Sequence, residues 1–279
     1  MTHTWLTIGL KQPRIPEFYT LTKIHKKTPV GRPIVSGSNG PTERIYSFVD
    51  SLLQPIAIKQ ESYIKDITDF INFIENTQIP DVILATLDVS SLHTNIPQEE
   101  GIDIVCHYYD DHYEQKLPIP TSDLRELMQL IIEENSFKFN DQHLVQTHGI
   151  AMGTKMAVAF SIIFVADLEK GLLAASLLKP FFWKRFIDDI FSLWNIPMEE
   201  VSIFVNFANS FHPIRSNLLL KYHPNELVFS TQRYSKDLAF QLSKFSIHKP
   251  TSSPLKLFSI HTSHPATRSI LKRRSITSF

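Results

Sequence analysis

Three aspartates are the residues in this chain whose surroundings call most plainly for chemistry: Asp88 at the end of "ILATLD", and Asp188 and Asp189 inside "WKRFIDDIFSLW". An unpaired carboxylate is costly to bury, and neighbouring carboxylates raise each other's pKa. Acids set among aromatic and apolar residues therefore need a compensating positive charge, which a divalent cation supplies. In an extended segment Val82, Leu84 and Thr86 share the face of Asp88, leaving it as the one charge on an otherwise apolar or small face. If the two strands are neighbours, Asp88 and Asp188 come close enough to bridge two hard cations through oxygen. Two Mg²⁺ ions about 3.5–4 Å apart stabilise both the attacking and the leaving oxygen of an in-line phosphoryl displacement, which is the chemistry of nucleotide transfer. An Asp-Asp pair alone is a weak signal, because adjacent acids in turns are ordinarily solvated. "YDDHY" at 109–113, with His107 and His112 nearby, reads as a polar helix end rather than a metal site.

Positioning these acids needs a sheet with helical backing. "DVILATLDV" (81–89) fits a buried strand, and the run around Asp188 reads as strand, turn, strand. Five prolines punctuate the first forty-one residues, so loops and short strands are expected there. Ile45, Phe48, Val49, Leu52 and Leu53 recur at helical spacing behind Thr42, a candidate N-cap. "PQEEGIDIVCHYYDDHY" and "TSDLRELMQLIIEENS" predict two more helices, the second capped by Thr121 or Ser122. "SFKFNDQHLVQTH" alternates like a hairpin turning at Asn140-Asp141, residues 155–170 read as a buried helix, and another helix is expected near 199–211. Beyond His212 the pattern weakens to short strand-like pieces, "NELVFSTQ" and "DLAFQLS". The order predicts an α+β fold, an antiparallel sheet backed by helices.

Composition bounds the rest. The chain has 279 residues, 43% of them hydrophobic, enough for one large domain or two smaller ones. Its one cysteine, Cys106, excludes an intrachain disulfide and fits a reducing compartment. "MAVAFSIIFVA" (156–166) is too short to span a bilayer and the first ten residues lack a signal-peptide pattern, so a soluble, non-secreted protein of nucleus or cytoplasm is expected. Net charge is zero, yet residues 1–35 hold six Lys or Arg against Glu17, and residues 236–279 hold eight against Asp237. Either the ends form a basic rim around an acidic centre, as a phosphodiester substrate requires, or they are simply solvated.

The ordered blocks "TKIHKKTPVGRPIVSG", "LATLDVSSLHTNIP", "HGIAMGTKMA" and "WKRFIDDIFSLW" closely resemble the reverse transcriptases of Penelope-like retroelements, relatives of telomerase catalytic subunits. The resemblance runs from about residue 18 to 195, with a looser continuation in "NSFHP" and "IHKPTSSPLKLFSIHTSHPATR". It implies a right-hand polymerase palm with partial fingers and little or no thumb. It divides the chain into a non-family segment (1–17), a fingers-like part (18–80), a palm-like core (81–245) and a basic C-terminal remnant (246–279). The implied activity is RNA-directed DNA polymerisation with two Mg²⁺ ions, an RNA template, a DNA primer and dNTPs. Asp88, Asp188 and Asp189 would be the catalytic, metal-binding acids, with Asp88 and Asp188 the direct ligands and Asp189 less demanding. Arg32 resembles the fingers cation that meets the triphosphate, with Lys23 a weaker candidate. Gly149 and Gly153 resemble the motif in which a missing side chain lets the backbone approach the nascent base pair, although either could be just the turn before a helix. Phe186 and Trp194 are expected in the core.

The departures carry their own expectations. His93 stands where the family usually has the Tyr or Phe that excludes a 2′-hydroxyl, so sugar selectivity is open. Val158 and Ile162 replace Pro and Asn, and "LVFSTQ" lacks the aspartate of the primer-holding region. Many relatives continue into a GIY-YIG nuclease; with no glycine after Gly171, this chain is expected to lack one and to be a truncated copy. Two functions therefore stand side by side, a reverse transcriptase and an inactive remnant that at most binds nucleic acid.

Overall fold

The strand around Asp88 and the hairpin around Asp188 form in the computed structural model as neighbours in one sheet. The structure describes residues 13–23, 30–75, 83–89, 91–133, 135–212 and 218–221. In order, the elements are β1 (Glu17–Lys23), β2 (Val30–Ser36), α1 (Glu43–Ala57), α2 (Ile67–Glu75), β3 (Ile83–Val89), α3 (Leu92–Asn95), α4 (Gln98–His112), α5 (Thr121–Ile132), β4 (Ser136–Phe139), β5 (Gln142–Val145), α6 (Met156–Ala175), β6 (Phe182–Phe186), β7 (Asp189–Trp194), α7 (Met198–Phe211) and β8 (Leu218–Lys221). The chain separates into two compact units, 1–221 and 222–279. All of the second lies outside the described residues, and with it the expectations for "NELVFSTQ", "DLAFQLS", the thumb and the basic remnant.

The described residues of the first unit form two four-stranded sheets. One has the order β6-β7-β3-β8, every pair antiparallel; the other has the order β2-β1-β4-β5. The second sheet joins the early strands to the Asn140-Asp141 hairpin, whose two turn residues have φ of 48° and 61°, both left-handed as a two-residue hairpin of this twist requires. Its β1 and β4 meet through a single parallel step, Glu17 beside Lys138.

Alternation along the first sheet sorts its two faces. Ala85, Leu87 and Val89 of β3 are buried on one face with Ile190 and Trp194, against α6 and α7. Helix α6 is buried on nearly all sides, as a segment apolar all round must be, and Phe204 of α7 packs on Trp194 with ring centroids 4.8 Å apart. The other face carries Thr86, Asp88, Asp189 and Phe191. Helix α2 covers its far half: Phe70 meets Phe191 at 4.7 Å and Phe73 meets Phe182 at 4.4 Å. That cover is why every residue of β7 is buried, although a half-exposed strand would alternate. The sequence reading lacked α2. Its signal was present in Ile67, Phe70, Ile71 and Ile74 at i, i+3, i+4, i+7, behind Asp66, whose carboxylate accepts from the Asp69 N–H at 2.9 Å.

Two expected caps differ. Thr42 occupies the N-cap position of α1 but makes no side-chain cap bond; the Glu43 carboxylate instead accepts from the Asn39 N–H at 2.9 Å. Pro120, not Thr121 or Ser122, is the N-cap of α5, and the Thr121 hydroxyl donates to Asp110. Among the described residues no helix is long and apolar enough to cross a membrane.

Candidate functional site

The acids meet where β6 turns into β7. Phe186 and Asp189 are register partners, so Ile187 and Asp188 alone form the turn, and Ile187 is held at φ 55°. A β-branched residue in the left-handed region is strained, and such strain persists only where the surroundings over-determine it. Asp189 opens β7, is 8% exposed, and stands directly opposite Asp88 on β3. Directly opposed residues of an antiparallel pair point to the same face with Cβ atoms about 4.5–5.5 Å apart. The Val89 N–H donates to the Asp188 carbonyl at 2.9 Å, closing the end of the ladder. The register partner of Asp88 is thus Asp189, with Asp188 next to them on the tip. The two-residue turn is the reason: it uses up Asp188 and starts the strand one residue later.

Among the described residues no three His, Cys, Asp or Glu side chains gather closely enough to hold a metal ion. The aspartates offer hard oxygen donors only, the set that suits Mg²⁺ rather than a softer metal. His107 and Asp111, 3.6 Å apart and both well exposed, form a solvated helix pair as expected for "YDDHY".

Below the turn lies a buried polar network. Arg185 is 1% exposed and Glu169 of α6 is 5% exposed; the guanidinium Nε donates to the carboxylate at 2.9 Å. The same carboxylate accepts from Trp183 Nε1 at 2.8 Å and from the Ser62 hydroxyl at 2.5 Å. The remaining guanidinium nitrogens donate to the carbonyls of Ile187 and Ile162, each at 3.0 Å. Sequence reasoning missed this network. Its signal was an arginine in a largely apolar hairpin and a glutamate in the largely apolar run of α6.

His93, in α3 just past β3, places its Nδ1 2.7 Å from the Ser161 hydroxyl, and that hydroxyl donates to the Ala157 carbonyl at 2.7 Å. With the serine proton committed, Nδ1 carries the imidazole hydrogen. Burial, and after it the Arg32 charge, lowers the His93 pKa to about 4. The unfolded chain takes up this proton near pH 6.5, so between about pH 6.5 and pH 4 it binds a proton that the folded chain refuses, and stability falls as pH falls. His93→Gln should flatten that part of the stability profile, read as the difference in urea midpoint between pH 7.5 and pH 5; an unchanged difference would show that His93 does not cause it.

Arg32 sits exposed on β2 opposite Leu21, close enough to His93 to depress its pKa. Lys23 closes β1 opposite Val30; its side chain lies outside the described residues. Gly149 has φ 68°, and a Cβ there would stand 2.6 Å from the His93 carbonyl oxygen, which accepts from the Ile150 N–H at 2.7 Å. A Cβ on Gly153 would stand 1.7 Å from the Val35 carbonyl oxygen. Both glycines therefore answer to the protein's own backbone: Gly149 seats the loop on α3, and Gly153 joins it to the end of β2. Gly153→Ala must push the end of β2 away from the loop that leads into α6, an overpacking that costs about 1–3 kcal/mol or more. A melting temperature equal to that of the unsubstituted protein would refute this contact.

No family model matches the sequence, and no curated protein does. Solved structures do. The chain is similar to apo telomerase from Candida tropicalis truncated from its C-terminal domain, at 12% identity and TM-score 0.54, over 80% of this chain and 54% of that one. The fold is a right-hand polymerase palm. Telomerase from Candida tropicalis in complex with the TWJ fragment of telomeric RNA matches at 11% identity and TM-score 0.52, over 77% of this chain and 41% of that one. The RNA-dependent RNA polymerase of BmCPV at its quiescent state matches at 13% identity and TM-score 0.55, over 79% of this chain and 21% of that one. The chain thus spans about half of the truncated telomerase and about a fifth of the viral polymerase.

Proposed function

We propose that this chain is an RNA-directed DNA polymerase of the Penelope-like retroelement type, adding dNTPs to the 3′-hydroxyl of a DNA primer on an RNA template. The observation that carries the reading is the pairing of Asp88 with Asp189 across β3 and β7, beside Asp188 on a strained tip, in a palm fold. Asp88 and Asp189, which face each other across the ladder with Asp188 beside them on the tip, would be the oxygen donors for Mg²⁺, and the ion would supply charge stabilisation to the attacking and leaving oxygens of phosphoryl transfer. Arg32, with Lys23 behind it, would meet the triphosphate as a bidentate or point-charge partner. His93, a neutral imidazole under these conditions, would lie beneath the sugar, while Gly149 and Gly153 fix the loop against α3 and β2.

The full chain, given a primed RNA template, Mg²⁺ and dNTPs, should extend the primer, and Asp189→Asn should not. Extension no greater than that of the variant would leave the second reading, a remnant that binds nucleic acid through its basic ends without chemistry. A parallel arm with ribonucleotides asks whether the likeness to a viral RNA polymerase extends to the sugar.

A further inference from the structure

We propose that Arg185 is a positioning residue: its guanidinium clamps the Ile187–Asp188 turn and so keeps Asp188 and Asp189 in register with Asp88. Arg185 is tied at both backbone and side chain. Its N–H donates to the Ser62 carbonyl at 2.6 Å, and its carbonyl accepts from the Ile64 N–H at 3.0 Å. Its side chain reaches three separate segments: Glu169 and the Ile162 carbonyl on α6, the Ser62 hydroxyl at 3.4 Å, and the Ile187 carbonyl on the turn. Ile187 is the strained residue, at φ 55°, and its neighbour Asp188 supplies the carbonyl that receives the Val89 N–H. The guanidinium fork thus fastens the strained turn to the helical layer, and the turn fastens itself to β3.

Adhesion alone does not account for this group. A buried ion pair can usually be replaced by apolar side chains of similar volume with little loss of stability, so the pair is weak evidence for a stabilising role. An apolar replacement cannot donate to the Ile187 carbonyl, and lysine, a point charge without a planar fork, cannot serve Glu169, Ile162 and Ile187 together. What remains specific to arginine is the geometry of the tip. A tip acid displaced by about an ångström is expected to lower a rate by about a hundredfold.

The test uses the full chain with Arg185→Met/Glu169→Met, which removes both charges, and Arg185→Lys. Three quantities are read: melting temperature, hydrogen exchange at the Val89 amide, and kcat and KM for primer extension. The double variant should still melt cooperatively, at a temperature lowered by the acceptors that Trp183 and Ser62 lose, while Val89 exchange rises at least about tenfold more than exchange at the amides of α6. Its kcat should fall about tenfold to a hundredfold, with KM for the primed template within about twofold. Val89 exchange that rises no more than that of the α6 amides in a folded variant overturns the proposal, as does an unchanged kcat in an active enzyme. Where the double variant does not fold, Arg185→Lys is read by the same criteria. The kinetic arm rests on the polymerase reading; if the unsubstituted protein extends no primer, that reading fails and Val89 exchange decides the clamp alone.

Discussion

Asp189→Asn is expected to lower primer extension by about a thousandfold or more while leaving the protein as stable as before, or slightly more so. The rate effect follows from charge. A cation at a phosphoryl transfer contributes several kcal/mol to the transition state, and about 4 kcal/mol is a thousandfold. The amide keeps the shape of the carboxylate but presents one neutral oxygen and two N–H donors, so it binds a hard cation more weakly and leaves one unit less of negative charge to hold it. The stability effect follows from register. Asp189 and Asp88 stand directly opposite each other on one face, and like charges in that position are destabilising by roughly 0.2–1 kcal/mol. Removing one charge relieves the repulsion, so the urea midpoint should hold or rise while single-turnover extension collapses. A site maintained for its chemistry shows this opposition of activity and stability; a structural site loses both together. Asp111→Asn, in the exposed "YDDHY" helix end, should change neither. Equal extension by Asp189→Asn and the unsubstituted protein would remove Asp189 from the chemistry.

The acids could be read from sequence because hairpins are local. A charge pair between two apolar alternating runs has few places to go but a turn, and β6 and β7 form with Ile187-Asp188 between them. What sequence left open was set by contacts far along the chain. Which acid faces Asp88 depends on the length of the turn, and a difference of one residue moves a side chain to the opposite face. Strand β8 is only "LLLK", too short to announce itself; pairing with β3 makes it a strand. The need for glycine at 153 comes from the Val35 carbonyl, more than a hundred residues earlier. Arg185 and Glu169 lie sixteen residues apart, and no periodicity links a hairpin residue to a helix residue before the sheet packs on α6. Sequence marked where charge would concentrate; the fold decided which of it is buried and paired and which stands in the ladder of β3 and β7.

Glu169→Ala should be the most damaging single substitution for stability that the site predicts. The carboxylate accepts from Arg185, Trp183 and Ser62 within a layer where Arg185 is 1% exposed. Without it the guanidinium stays buried with carbonyl partners but no counter-charge, and the Trp183 indole N–H and Ser62 hydroxyl lose their acceptor. Breaking a buried pair from one side costs about 3–5 kcal/mol, a large share of the roughly 5–15 kcal/mol that separates folded from unfolded chains. For a unit of this size that is a fall in melting temperature of about 6–20 °C. Glu169→Gln, which keeps an acceptor oxygen and loses the charge, should fall between. Chemical denaturation of the three proteins orders them, and a Glu169→Ala loss below about 1 kcal/mol, the scale of a surface ion pair, would mean that water reaches Arg185 and that the network is not closed. The contrast with removing both partners is the informative one: cost concentrated in the single variant marks an uncompensated charge, whereas equal cost in both would locate it in the acceptors lost by Trp183 and Ser62 and in packing volume.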